Sequence, residues 1–363
     1  MKHEPGELVV DALLVREYEL PAPDESCHLP AVRGHVRRDS VRGWLVGLRA
    51  GRHTGWWGPV PGDAARCVRR LFEAAFPELP AVVDVSFFPH RLRHATRHAH
   101  SGIYAVAGGA LELALWDLAG HCADLPVHAL LGADTAQDVP AYATCFGVDP
   151  HGVPGRSVMT AVADSYHVQK WNHTLTEALP DQTAVRFVEE LGAGRLALDF
   201  HGAWHPSRVE QTCAEYAQAL AWVEEPCHPE QVHLAAAGQF GAPHAAGEHC
   251  YGPADTVLLE RGAVDIWQPD AVFCGGMTNL LEIIRLADRA GAACMPHGGG
   301  LLPALHAAAA GAPVTQVENH LLLEPRRLAH LADPPATNRT DGLIEVPRRP
   351  GWSGVLRKEL VDA

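Results

Sequence analysis

Six acidic and imidazole side chains close successive short apolar runs in the second half of the chain. Asp199 closes RLALD, Glu224 closes LAWVE, Glu248 closes PHAAGE, Asp270 closes VDIWQPD, His297 closes ACMPH and Glu318 closes PVTQVE. If the first three runs are neighbouring strands, three carboxylates converge on one mouth and repel each other unless a cation holds them. Three oxygen donors with room left for water and substrate oxygens suit Mg²⁺. The alternative is that each carboxylate makes its own ion pair, yet none has an obvious Lys or Arg beside it. Asp270 and His297 end the next two runs. An Asp beside a His orients the ring, fixes its tautomer and raises its pKa, which makes a general base; an ordinary buried polar pair is the other reading. His297 runs into Gly298, Gly299 and Gly300, a loop without side chains along which a ligand can reach the backbone.

The elements that must carry these groups follow from the spacing. The closing residues recur 21 to 27 residues apart, one βα unit per step, with helical stretches such as SRVEQTCAEYAQAL, ADTVLLERGA and TNLLEIIRLADRAG between them. Runs this apolar are buried on both faces, as parallel strands are. Two earlier runs, VPAYATCFG and YHVQKWN, bring the number to eight. Eight parallel βα units predict an α/β fold, a (β/α)8-type barrel over residues 131–339, with its chemistry at the C-terminal strand ends.

Residues 1–130 predict an α+β capping domain, completed by the tail 340–363. Leu8–Val15 and Trp44–Leu48 read as strands, the latter ending at the turn AGRHTG, and Ala64–Phe76 reads as a helix. The stretch Ile103–His121 is apolar almost all round, which marks a helix buried on several sides. Glu112 and Asp117 interrupt it, and each needs a partner if buried.

Composition narrows the function. The 363 residues are 47% hydrophobic and 20% charged, enough for a large core. The formal charge is −14 and no basic run stands out, so nucleic acid is not an expected partner. The N-terminus lacks the pattern of a secretory signal, and no uninterrupted apolar stretch of about 18 residues suggests a membrane span. Nine scattered cysteines without a CxxC read as reduced thiols of a cytoplasmic protein. His94, His98 and His100 lie among Arg91, Arg93 and Arg97, which repel a metal rather than recruit one.

The ordered set LELALWDLAGHCADLPVHALLG, LALDFHG, WVEEP, AAGEH, DIWQPDAVFCGGMTN, PHGGG and IEVPRRPGWSGV resembles the enolase superfamily, mandelate racemase-like branch, and within it the acid-sugar dehydratases. The resemblance covers nearly the whole chain. It implies that Asp199, Glu224 and Glu248 ligate Mg²⁺, with Glu225 turned into the scaffold, that Asp270–His297 is the base dyad, and that Glu318 hydrogen-bonds the enolate oxygen. The second run departs from the common Lys-x-Lys: with Lys170 in the first place, Asn172 takes the second, and an amide is no base. Galactonate dehydratase-like members show a similar Lys-x-Asn and the Asp-Phe-His-Gly found at Asp199–Gly202, which implies that His201 is the general acid. A shift of register leaves Lys170 a possible base. The GEH run with His249 and the helix at 102–118 also resemble tartrate and rhamnonate dehydratase-like members.

The implied reaction removes the α-proton of a sugar acid and expels the β-hydroxyl, giving a 2-keto-3-deoxy acid. The resemblance also implies that the cap sets substrate choice. This points to Arg33, with His28, His35 and Arg37, and to Trp56 with Trp57, as substrate contacts beside Asn172 and His249. Where relatives carry Gly-Trp-Gly-Glu, this chain has Gly55-Trp56-Trp57-Gly58-Pro59. A racemase, epimerase or cycloisomerase on the same scaffold, or a silent sugar-acid-binding relative, are the competing readings. The expected partners are a small-molecule sugar acid and further copies of the chain in a homo-oligomer, with no nucleic acid and no membrane.

Overall fold

The computed structural model describes residues 6–21, 40–97, 101–146, 152–172, 181–234, 238–260, 262–321, 323–334 and 341–361. The first third forms β1 (Glu7–Val10), β2 (Ala12–Pro21), β3 (Ser40–Ala50), β4 (His53–Val60), α1 (Gly62–Ala75), β5 (Ala81–Asp84), α2 (Phe88–Ala95), α3 (Gly102–Ala123) and α4 (Val127–Leu130). β2, β3 and β4 make an antiparallel sheet, and β1 pairs antiparallel with β5. The strand expected over Leu8–Val15 is broken at Asp11. Its carboxylate leaves the strand pattern to accept from Arg49 Nε at 2.6 Å and Gly51 N at 2.7 Å, which ties down the β3–β4 turn.

α3 is the hinge of the architecture. Residues 105–120 are all buried. The helix is long and apolar enough to cross a membrane, but 83% of its most apolar window lies inside the molecule, so its apolarity is that of a core helix. Its two acids find the partners that burial demands. Glu112 accepts from Trp116 Nε1 at 3.2 Å, from Thr278 N at 3.1 Å and from the Thr278 hydroxyl. Asp117 accepts from Trp56 N and Trp352 N, both at 2.8 Å, and so joins cap, helix and tail through one carboxylate.

The barrel follows as β6 (Val139–Thr144), α5 (Gly152–Ala163), β7 (Gln169–Asn172), α6 (Asp181–Leu191), β8 (Leu196–Asp199), α7 (Pro206–Cys213), β9 (Leu220–Glu224), β10 (His244–Ala246), α8 (Val257–Glu260), β11 (Ile266–Trp267), α9 (Met277–Ala290), β12 (Ala293–Cys294), α10 (Leu301–Ala309), β13 (Val317–His320) and α11 (Glu324–Arg327). β14 (Leu343–Ile344) and α12 (Lys358–Val361) lie in the tail. The parallel order is β12-β11-β10-β9-β8-β7-β6-β13, and Thr315 N donates to Cys294 O at 2.8 Å where the curled sheet meets itself. β14 pairs antiparallel with β6 before the tail continues to the cap, where Gly351 N donates to Leu125 O at 3.0 Å. The helix expected over Ser207–Leu220 stops at Cys213, because the chain needs the intervening residues to turn into β9.

The barrel interior explains where the chemistry sits. Tyr142, Val168, Ala197, Trp222, Ala245, Ile266 and Met295 pack together as a plug separate from the main core. Side chains alternate along a strand, so the residue two positions further on points the same way, one layer nearer the C-terminal mouth. Those residues are Thr144, Lys170, Asp199, Glu224, Gly247, Gln268 and His297. An apolar floor therefore carries a largely polar layer, set by register where the strands themselves reach it.

Candidate active site

Lys170 stands at the centre of the polar layer. Its ammonium contacts Glu224 Oε1, lies 3.0 Å from Glu318 Oε1 and 3.6 Å from Asp199 Oδ2, and is 5.8 Å from the centre of the Tyr142 ring. Burial works to strip the lysine of its proton. The charges of Glu224 and Glu318, with Tyr142 and Asp199, outweigh burial and hold its pKa well above the ordinary lysine value. The second Glu224 oxygen accepts from Trp222 Nε1 and Gln268 Nε2, both at 2.8 Å. Burial, aided by Asp199 and Glu318 and opposed by Lys170, pushes Glu224 up to about 8.

Glu318 goes the other way. Burial raises it, but Lys170, His297, His320 and the Thr144 hydroxyl hold it well below the usual carboxylate range. It accepts from Thr144 Oγ1 at 2.5 Å and from Gly298 N at 2.7 Å.

Asp199 and Asn172 are register partners on β8 and β7. Just past them the chain turns sharply, with His201 at φ +49°, and the turn is held by His201 N donating to Asp199 Oδ1 at 2.9 Å. This folds the imidazole back so that Nε2 lies 2.9 Å from Asn172 Oδ1 and 3.3 Å from Asp199 Oδ2. Nε2 thus sits where it can donate to an amide and a carboxylate oxygen.

Across the mouth, His297 Nδ1 lies 2.8 Å from Asp270 Oδ2, while Asp270 Oδ1 accepts from Val272 N and Phe273 N at 2.8 and 3.0 Å. His297 Nε2 faces Glu248 Oε2 at 3.3 Å and Glu318 Oε2 at 3.9 Å. Burial disfavours the imidazolium, but Glu248, Glu318 and Asp270 overcome this and raise His297 to about 10. Burial also raises Glu248, with His297 opposing. A Cβ on Gly299 would stand 2.1 Å from Asp270 Oδ2, so the close approach requires glycine there. His249 Nδ1 lies 3.6 Å from Glu248 Oε1 and 3.8 Å from Glu225 Oε2. Glu225 turns into the scaffold, where it is buried and accepts from Gly247 N at 3.0 Å.

The structure thus gathers Lys170, Asn172, Asp199, His201, Glu224 and Glu318 into one group and Glu248, His249, Asp270 and His297 into another, which meet at His297 and Glu318. Among the described residues, no three His, Cys, Asp or Glu side chains stand at metal-holding spacing: Lys170 lies between Asp199 and Glu224, and Glu248 faces His297. Trp56 shares a cavity of about 500 Å³ with Asp270 and His297, and its ring lies 5.5 Å below the Arg16 guanidinium. Arg33, with His28, His35 and Arg37, lies outside the described residues. Thr144, Trp222 and Gln268 were missed in the sequence. The signal that finds Thr144 and Gln268 is their place two residues beyond the plug.

Comparison with known proteins agrees with this architecture. Residues 156–360 match the family described as enolase C-terminal domain-like. An L-rhamnonate dehydratase from Saccharopolyspora erythraea is 31% identical over 241 residues, 63% of this chain and 60% of that protein, so the chain spans about three fifths of this curated relative. A racemase from Streptomyces coelicolor with bound magnesium superposes with a TM-score of 0.76 at 23% identity, covering 98% of this chain and 99% of that one. An L-talarate dehydratase from a Polaromonas species, complexed with Mg and L-glucarate, gives 0.73 at 24% identity, covering 98% and 96%. The chain belongs to the enolase superfamily, in its mandelate racemase and muconate lactonizing enzyme branch.

Proposed function

We propose that the chain is a Mg²⁺-dependent dehydratase of sugar acids that yields a 2-keto-3-deoxy acid. The observation that carries this reading is the placement of two imidazoles, His297 with Asp270 and His201 with Asn172, after strands four apart around the ring, with the carboxylate layer between them.

The residues fit a hard divalent cation. Asp199 and Glu224 end β8 and β9, Glu248 stands two residues past β10, and all three offer only oxygen donors, the set that Mg²⁺ prefers. Burial and mutual repulsion raise Glu224, and burial with the charges of Asp199 and Glu225 raises Glu248, so the buried carboxylates lack countercharge beyond Lys170 and His297. When bound, the ion would supply Lewis acidity to the substrate carboxylate and make the α-proton removable.

The chain's own groups do the rest. His297 Nε2 takes the α-proton, and Asp270 holds the ring and stabilises the imidazolium. Glu248, whose charge helps hold the imidazole proton here, is one of the residues that would hold the cation. Glu318 is ionised and already accepts from Thr144, Gly298 and Lys170, so it has no proton to give an enediolate oxygen. In this arrangement the Lys170 ammonium is the donor that faces the developing charge, a role that replaces the one as base. His201 donates its proton to the departing β-hydroxyl.

Incubation of sugar acids in D₂O tests the assignment. His297→Asn should form no product and exchange no α-proton. His201→Asn should lose about 10²–10⁴ in dehydration yet still wash deuterium into recovered substrate. Dehydration at the wild-type rate by His201→Asn would leave that residue a mere lining group. Exchange with inversion and no loss of water would replace the dehydratase reading by a racemase or epimerase.

A further inference from the structure

We propose that His320 is a substrate-binding residue, an imidazole that donates its Nε2 proton to a substrate hydroxyl beside the reacting carbons. The inference rests on the sugar-acid reading above and adds a specificity-determining contact to that site. His320 closes β13 two residues after Glu318, so both side chains leave the same face of the strand. At the usual rise of a strand the imidazole stands roughly 6.6 Å further toward the mouth than the Glu318 carboxylate. Its register partner on β6 is Thr144, whose hydroxyl holds Glu318. The ring of Phe146, two residues past Thr144, lies 5.6 Å from the His320 ring and 5.6 Å from the His201 ring. One aromatic side chain therefore supports both imidazoles. Arg327, Glu318, Lys170 and His297 are the charged and titratable groups that act on His320, which sets it beside the reacting layer.

The partner of one ring nitrogen fixes the role of the other. His320 Nδ1 accepts from Leu323 N at 3.3 Å. A backbone N–H only donates, so Nδ1 carries no proton, and in the neutral ring Nε2 carries it. Burial, reinforced by Arg327 and opposed by Glu318, holds the imidazole well below the ordinary histidine value, so the ring is neutral. His320 is only 4% exposed. Among the described residues its Nε2 makes no hydrogen bond, and it is not sealed from solvent as the unpartnered Nδ2 of Asn172 is. A donor in a nearly closed wall costs free energy until a ligand offers it an acceptor. The Lys170 ammonium faces the oxygens that gather charge, whereas an uncharged donor one layer out suits the oxygen of a hydroxyl. Such a donor also discriminates, because an analogue without that hydroxyl leaves it unpaired again.

The test is calorimetric titration, with Mg²⁺ present, of wild type and two variants against a panel of six-carbon sugar acids, and then against the monodeoxy analogues of the tightest binder. His320→Asn keeps an acceptor for Leu323 N in place of Nδ1 but removes the outer donor. It should bind the tightest sugar acid about tenfold more weakly, with the thermal midpoint unchanged. His320→Gln sets an amide N–H where Nε2 stands and should return binding to within about threefold of wild type. One monodeoxy analogue should bind wild type about tenfold more weakly than its parent, and His320→Asn should not tell the two apart. Wild-type affinity in His320→Asn overturns the proposal. So does an equal loss in both variants with every analogue still discriminated, which is what a purely structural ring would give. Wild type binding none of the panel overturns it together with the sugar-acid reading. The expected binding pattern without any turnover sustains this inference and removes the dehydratase reading alone.

Discussion

The two halves of the barrel mouth position their chemistry differently. In the half built on β7, β8, β9 and β13, the functional groups belong to the strands themselves. Lys170, Asp199, Glu224 and Glu318 lie within four- or five-residue strands and are at most 3% exposed. In the half built on β10, β11 and β12, the strands are three, two and two residues long. Glu248, Asp270 and His297 stand two or three residues beyond them, and the Glu248 and His297 side chains are 16% and 17% exposed. Ladder register fixes the first set. Local bonds to backbone amides hold Asp270 and His297 in the second. The lesson is that charges needing a fixed spacing ride on strands, while the proton-transferring ring rides on a loop open enough to meet a ligand.

The comparison can be broken most forcefully on the strand side. Glu224→Gln should cost about 10³-fold or more in activity and weaken Mg²⁺ binding severely, with the far-UV spectrum unchanged. Full activity in chelator would show that the strand half holds no metal. Next, Asp270→Asn should lose about 10²–10⁴ in rate while Mg²⁺ titrations stay as in wild type, which separates the base dyad from the carboxylates that would hold the cation. Gly299→Ala forces Asp270 or the loop aside and should cost about 10- to 100-fold through misplacement. Gly252→Ala, whose added Cβ meets nothing within 4 Å, should leave the rate unchanged. Equal rates for the two alanine variants would mean that the loop half tolerates the shift.

The smallest effect concerns acid. If the ionised Glu318 governed acid stability, losses would begin only below the ordinary carboxylate pKa. Burial instead depresses His306 to about 3, below its unfolded value of 6.5. The unfolded chain therefore binds a proton that the folded one refuses, and stability falls as pH drops from about 6.5 toward 3. The loss should reach roughly 3 kcal/mol by pH 4, seen in denaturant midpoints against pH, and His306→Asn should reduce the slope. A flat profile down to pH 5 would contradict it.

Much of this arrangement is written locally. The repeated βα step betrays the barrel, and a polar residue closing each apolar run betrays the mouth, because strand period and strand end are properties of neighbours in sequence. Lys170 was harder to place: its partner Glu224 lies 54 residues on, and only closure of the sheet makes them touch. Thr144 and Gln268 look like ordinary strand residues until the plug sets which face is inward. The break at Asp11 depends on a turn 40 residues away, and the shortened α7 on where β9 must begin.

α3 has a further consequence during synthesis. Residues 102–123 leave the ribosome after the cap strands but before any barrel strand. Its cap-facing side, where Gly55 packs against Leu118 and Ala114, can be covered at once. The opposite side waits for Val272, which Gly109 abuts, for Thr278, and for Trp352 near the very end of the chain. For more than two hundred residues of elongation the nascent protein carries a bare apolar stripe, so its yield in the cell should depend on chaperone capacity and elongation rate more than on the stability of the finished fold.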